Sequence, residues 1–141
     1  MNKMNEEIIK RAADLIASTR NCVLALIDDE GYPTAATITP TKTEGIQWVS
    51  FGNNIESNWA KRIRKCNRAS ICYSSDRPES NVTLVGIIEI ITTDLVLKKE
   101  MWSDWMKDYY SGPEDPNYCV LRFKTQRYSL YLDGQQVRGT L

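Results

Sequence analysis

The order of short apolar and β-branched runs, each bounded by turn chemistry, constrains this chain more than any other feature. Few folds use so many strands with so little helix between them. Cys22-Val23-Leu24-Ala25-Leu26-Ile27 reads as a buried strand. Asp28-Asp29-Glu30-Gly31 is hairpin-turn chemistry, with Gly31 able to take positive φ, and Tyr32 to Thr39 forms the returning strand. Pro33 sits at that strand's start, where a missing amide proton costs least, and Pro40 ends it. A turn around Lys42-Thr43-Glu44-Gly45 leads to a strand from Ile46 to Phe51, completing a meander. Further strands are predicted over Arg68 to Ser74, Val82 to Thr93, Tyr118 to Phe123 and Tyr128 to Leu132. Residues 76–81 read as loop, Gly86 marks a bulge or a close backbone approach, and a polar tail follows from Asp133.

Helices are few. Ile8, Ile9, Ala12, Leu15 and Ile16 recur at three- and four-residue spacing, predicting an amphipathic helix that ends near Arg20. A second helix starts at Ser57, carries Trp59, Ile63 and Cys66 on one face, and closes near Asn67 as a left-handed cap. A third runs from Leu95 to about Tyr110 with an aromatic stripe of Trp102, Trp105 and Tyr109, until Gly112-Pro113 breaks it. Strands in meander order with this little helix predict a small antiparallel barrel, helices covering its openings, rather than a βαβ sheet. At 141 residues the expectation is a single domain, with its core over about 8–132 and a tail at 133–141.

Composition then removes whole classes of chemistry. The chain has no histidine, so Ser-His-Asp and Cys-His nucleophilic sites, His-bearing zinc sites and a proximal-His haem are excluded. Its four cysteines form no Cys-x-x-Cys pair, which signals neither a zinc site nor a dithiol motif and predicts free thiols. With 18 basic and 18 acidic residues there is no broad field for nucleic acid. No apolar run approaches the roughly 20 residues that span a bilayer, and nothing resembles a signal peptide, so a cytoplasmic protein is expected.

The chemistry concentrates at Trp48-Val49-Ser50-Phe51-Gly52-Asn53-Asn54-Ile55-Glu56-Ser57-Asn58-Trp59-Ala60-Lys61, where a strand passes through a polar turn into a basic helix. Unpaired amides and the helix dipole favour an anion there, and Ser57, Asn58 and Lys61 add donors. The competing reading is a capped surface helix with solvated charges. Lys61, Arg62, Arg64, Lys65 and Arg68, with Trp48 and Trp59 nearby, also admit a nucleic-acid patch, though no recognisable module supports one. For the aromatic helix, core packing competes with a wall for a planar ligand or a subunit interface.

Taken in order, these pieces resemble the pyridoxamine 5'-phosphate oxidase-like flavoproteins, in particular the short general stress protein 26-like branch. The matching pieces are the first helix, Asp29-Glu30-Gly31-Tyr32-Pro33, Thr37-Ile38-Thr39-Pro40, Val49-Ser50-Phe51-Gly52, Ser57 with its helix, Leu84-Val85-Gly86, and Cys119-Val120-Leu121-Arg122-Phe123. The resemblance implies a split antiparallel β-barrel with Greek-key or meander strands, and a homodimer with FMN between subunits. It implies that Ala36, Thr37, Ile38 and Thr39, with Ser50, Phe51, Gly52 and Asn53, border the ring and ribityl chain. Ser57, Asn58, Trp59 and Lys61 would take the phosphate, Tyr131 would stand where relatives carry a tryptophan, and Trp102, Trp105, Tyr109 and Tyr110 would wall a small-molecule substrate. Ala36 stands where relatives often have Arg, and Ser57-Asn58-Trp59 where they often have Ser-Arg-Lys, so Lys61 is the candidate replacement cation. The reaction implied is a flavin oxidoreductase or reductase; the alternative is a non-catalytic flavin carrier or sensor.

Overall fold

A computed structural model describes residues 3–76 and 78–141. Helix α1 (Lys3–Ser18) packs Ile8, Ala12 and Ile16 onto the core, the stripe that the apolar spacing predicts. Strands β1 (Cys22–Ile27) and β2 (Pro33–Ile38) form a hairpin whose turn holds Gly31 at φ 87°. The Asp28 carboxylate accepts from the amides of Glu30 and Tyr32 at 2.9 Å each, so the turn satisfies its own backbone. Next come β3 (Lys42–Glu44), β4 (Trp48–Asn54), α2 (Asn58–Lys65), β5 (Arg68–Asp76), β6 (Glu79–Ile91), α3 (Leu95–Glu100), a 3₁₀ helix (Asp104–Asp108), β7 (Tyr118–Leu132) and β8 (Gln135–Thr140).

All the pairings are antiparallel, and the described strands form one sheet in the order β2-β1-β5-β6-β7-β4-β3, with β8 added to β7. Alternation along β1, β5 and β6 sends Leu24, Leu26, Ile71, Tyr73, Val82 and Leu84 into the interior. Val49, Phe51, Leu121, Phe123 and Leu130 join them from β4 and β7. Gly86 is both a bulge and a close approach: the β6/β7 register shifts between Val85 and Gly86, and a Cβ there would run into the Lys124 carbonyl oxygen.

The barrel is split because of the course that the chain takes from Pro33 to Glu44. It runs antiparallel to β4 throughout, but only its later part, β3, pairs with β4; its earlier part, β2, pairs with β1 instead. Where the two parts diverge, Thr41 donates its amide (2.7 Å) and its hydroxyl (3.1 Å) to the Ser50 carbonyl. Beyond Ser50, β4 is paired on its β7 side alone, and β2 is paired on its β1 side alone. Two strand edges are thus left bare at the split.

Several sequence expectations are corrected. The stretch after Asp133 carries β8 rather than an unstructured tail, since its polar residues find backbone partners on β7. Lys42 to Glu44 is strand, and the turn contracts to Gly45–Gln47. The 76–81 loop is a tight hairpin, with β5 reaching Asp76 and β6 starting at Glu79; Arg77 lies outside the described residues. The two C-terminal strands are one, β7, because Lys124 to Arg127 carry it past the bulge. The long aromatic helix is α3, capped by Asp94, plus a separate 3₁₀ turn. Helix α2 ends through an extended Cys66 (φ −149°, ψ 115°), and Asn67 takes no left-handed conformation.

Candidate functional site

Helix α2 begins where β4 leaves the sheet. The Asn54 side chain accepts from the Glu56 amide at 2.8 Å and turns the chain, and the Ser57 hydroxyl oxygen accepts from Ala60 N–H at 3.1 Å as the N-cap. The Lys61 amide closes the first helical bond onto the Ser57 carbonyl at 3.0 Å. Ala60 and Lys61 are therefore satisfied from within, and the amides of Asn58 and Trp59 are the first-turn donors that the helix does not use. Trp59 itself is half-buried against the main core, while Asn58 and Lys61 are exposed.

Cations crowd this helix. A cleft of about 470 Å³ is lined by Asn58, Lys61, Arg62, Arg64 and Lys65, with Asp29 across from them. Three of the cations also tie α2 to its surroundings. Arg62 donates to Thr34 Oγ1 on β2 at 3.0 Å, Arg64 to the Ile55 carbonyl at 2.7 Å, and Lys65 Nζ pairs with Asp29 at 2.8 Å. The hydrogen bond and charge of Lys65 hold the Asp29 carboxyl below its ordinary range.

β2 and β4 border the split, and α2 reaches β2 through Arg62 and Thr34. On β2, Ala36 and Thr37 are exposed, while Ile38 packs against the core edge. On β4, Ser50 is fully buried with its hydroxyl unpartnered, and Phe51 commits its side chain to the core, so that its contribution to the bare edge is backbone. Gly52 and Asn53 are half-buried, and Met106 sits where a Gly52 side chain would extend. Tyr131 stands apart, 36% exposed, separated from β2 by β1, β5 and β6, and lying at the other end of the 15-residue β7 from the Asn53 pairing.

The residues expected to wall a substrate divide. Trp102 packs edge-on to Tyr118 with ring centroids 5.3 Å apart, in a second cluster with Met101, Met106 and Val120; Tyr110 lies over the same Tyr118 at 5.5 Å. Core packing accounts for these two. Tyr109 is exposed and edge-on to Trp105 at 6.2 Å. Trp105, 45% exposed, lines a second cleft together with Thr39 at the end of β2. Sequence reasoning missed three groups here. Tyr73 is buried with its hydroxyl beside the Cys22 thiol but without a well-aligned hydrogen bond, Arg20 and Lys42 line the cleft of Trp105, and Arg122 stacks 4.2 Å over the Trp48 ring with its Nε buried and unpartnered. Strand alternation predicts that Tyr73 faces inward; nothing in the sequence signals its pairing with Cys22.

Burial sets the remaining titrations. It pushes the Cys22 thiol up to about 11, against a smaller lowering by the neighbouring Tyr73 hydroxyl, and the Cys119 thiol up to about 11. It also raises Tyr73 and takes Tyr118 up to about 12. Among the described residues no cluster of His, Cys, Asp and Glu suits a metal ion.

A profile of the family described as Pyridoxamine 5'-phosphate oxidase like matches residues 7–135 of the chain. Among solved structures, one similar fold is the protein related to general stress protein 26 from Clostridium acetobutylicum, with TM-score 0.83 and 23% identity, covering 96% of each chain. Another is general stress protein 26 from Bacillus anthracis, with TM-score 0.79 and 19% identity over 94% of this chain and 99% of that one. A third, a pyridoxamine 5'-phosphate oxidase-related, FMN binding protein from Nostoc punctiforme, gives TM-score 0.67 and 16% identity over 98% and 95%. At these identities the structures show the fold, a split barrel. A search of curated proteins finds no match.

Proposed function

The chain belongs to the pyridoxamine 5'-phosphate oxidase-like family, and from that premise we propose that it is an FMN-binding homodimer acting as a flavin oxidoreductase or reductase on a small planar substrate. The observation that carries the reading is the split itself, with the bare edges of β2 and β4 ending at a cationic helix start. The donor set fits a phosphoryl tail. Two unused first-turn amides and the Ser57 hydroxyl stand at the helix start, Lys61 lines the adjoining cleft, and the described carboxylate lining that cleft, Asp29, is already paired with Lys65. Lys61 takes over the charge that an Arg at position 36 or 58 would bring.

Bound FMN supplies a ring able to take up and release hydride. The chain's part is to hold and orient it. Backbone groups of β2 and of Phe51 to Asn53 present donors and acceptors along one edge, while Ile38 and Trp59 narrow the access of water. The described groups with resolved shifts include no side chain poised near neutral pH: the thiols and phenols go up, while Asp29 and Asp115 go down. That observation favours, as a second reading, a flavin carrier or sensor without acid-base chemistry of its own. No described helix is long and apolar enough to cross a membrane. The four free thiols support a cytoplasmic setting, where thiols stay reduced.

Purified protein is expected to be yellow, or to become so on titration with FMN. Ser57→Ala combined with Lys61→Ala is expected to lower FMN affinity by about tenfold or more, since about 1.4 kcal/mol is tenfold. Unchanged affinity in the folded double variant discards the phosphate assignment. Bleaching of the bound flavin by NADH or NADPH supports the reductase; persistent colour supports the carrier.

A further inference from the structure

The cleft of Trp105 lies between the end of α1, the Thr39 to Thr43 course and the 3₁₀ turn, away from the cations of α2. Its volume of about 300 Å³ stands at the lower end of the range for small-molecule sites. Tyr73 contributes to its lining from the barrel wall: the residue is 1% exposed, and its hydroxyl lies beside the Cys22 thiol.

Charge supplies the observation that points to a ligand. Among the described residues the charged groups that line the cleft are Arg20 and Lys42, and no described carboxylate joins them. Three of the lining hydroxyls are already spent: Thr19 donates to the Leu15 carbonyl at 2.6 Å, Thr39 to Asn21 Oδ1 at 2.6 Å and Thr41 to the Ser50 carbonyl at 3.1 Å. What remains for a ligand is two cations, the Thr43 hydroxyl, and an apolar wall of Trp105, Pro40 and Ile16.

We propose that this cleft binds a small planar carboxylate, its anionic end between Arg20 and Lys42 and its ring against Trp105. A guanidinium pairs with a carboxylate through two parallel hydrogen bonds, and an exposed indole face suits a flat body. Thr39 is shared with the edge assigned to flavin, so the ligand lies at the ring end of β2 and is the substrate class of the proposed flavoprotein. That last step rests on the FMN reading; the binding site does not.

Calorimetric titration of the folded chain with benzoate, without added FMN, tests it. Saturable binding is expected, weakened at least tenfold in Arg20→Ala combined with Lys42→Ala and at least tenfold for benzyl alcohol, which keeps the ring and drops the charge. Both cationic residues are on the surface, so circular dichroism of the double variant should match that of the parent. No saturable heat, equal affinity for the alcohol, or unchanged affinity in the double variant overturns the proposal. FMN titration of the parent and of the same variant separates the two readings: retained FMN affinity with lost benzoate binding in the variant locates the defect in this cleft alone, whereas absent FMN binding with intact benzoate binding in the parent sinks the flavin reading and leaves the carboxylate site.

Discussion

Tyr73 carries a cost inside the core. Its ring fills the core, and its hydroxyl is buried beside the Cys22 thiol without a well-aligned hydrogen bond. Tyr73→Phe keeps the ring and removes this poorly satisfied group, so the protein should become more stable by up to about 1 kcal/mol. Urea unfolding checks this as a raised midpoint at constant slope; a lowered midpoint would show that the hydroxyl is satisfied after all. Cys22 and Cys119 make a second prediction at this scale. Their folded pKa values lie at about 11, above the 9.0 of a free thiol, so between these limits the unfolded chain has lost protons that the folded chain keeps. Stability is therefore full below about pH 9 and falls as pH rises toward about 11, by on the order of 2–3 kcal/mol per thiol. Unfolding midpoints measured from pH 7 to 11 should follow that fall, and Cys22→Ala should remove about half of it.

At the scale of elements, Gly86 is where β6 meets β7 too closely for any side chain. Gly86→Ala drives a methyl into the Lys124 carbonyl and should cost about 1–3 kcal/mol, read as a lowered Tm. The bulge was legible in the sequence because a glycine inside a long apolar strand has few other uses. So was the Ser57 cap, because serine before a helical apolar stripe has a mechanism. β3 and β8 were not legible: Lys42 to Glu44 and Gln135 to Thr140 have no apolar alternation and exist because β4 and β7 offer them a partner edge. The aromatic stripe was read correctly as periodic but misjudged as one helix. Packing of Trp102 and Met106 over Tyr118 and Gly52 is reached by a break after Met101, and periodicity carries no information about such a break.

At the scale of the whole molecule, topology bears on how many chains the proposed site draws on. The sheet places β1, β5 and β6 between Tyr131 and β2, and the length of β7, on the order of 40 Å of extended chain, between Tyr131 and the β4 residues at the split. In the proposed homodimer, the Tyr131 that meets the ligand would therefore be that of the second copy, docked against the split. The surface there suits such docking, since Ala35, Ala36 and Thr37 are exposed and β2 leaves a row of backbone groups unpaired. If Tyr131 closes the flavin site of the other protomer, one chain carrying Tyr131→Ala and another carrying Ser57→Ala with Lys61→Ala should each bind FMN poorly alone. Mixed and reassociated, they should recover one competent site in each heterodimer, because one of its two pockets then draws both of its halves from unaltered segments. FMN titration of the mixture against the separate variants measures this, with sedimentation confirming the dimer. Unchanged FMN affinity in Tyr131→Ala alone would place Tyr131 outside the site, an absence of recovery in a confirmed heterodimer would assign it to the site of its own chain, and a monomer that binds FMN at full affinity would remove the second copy altogether.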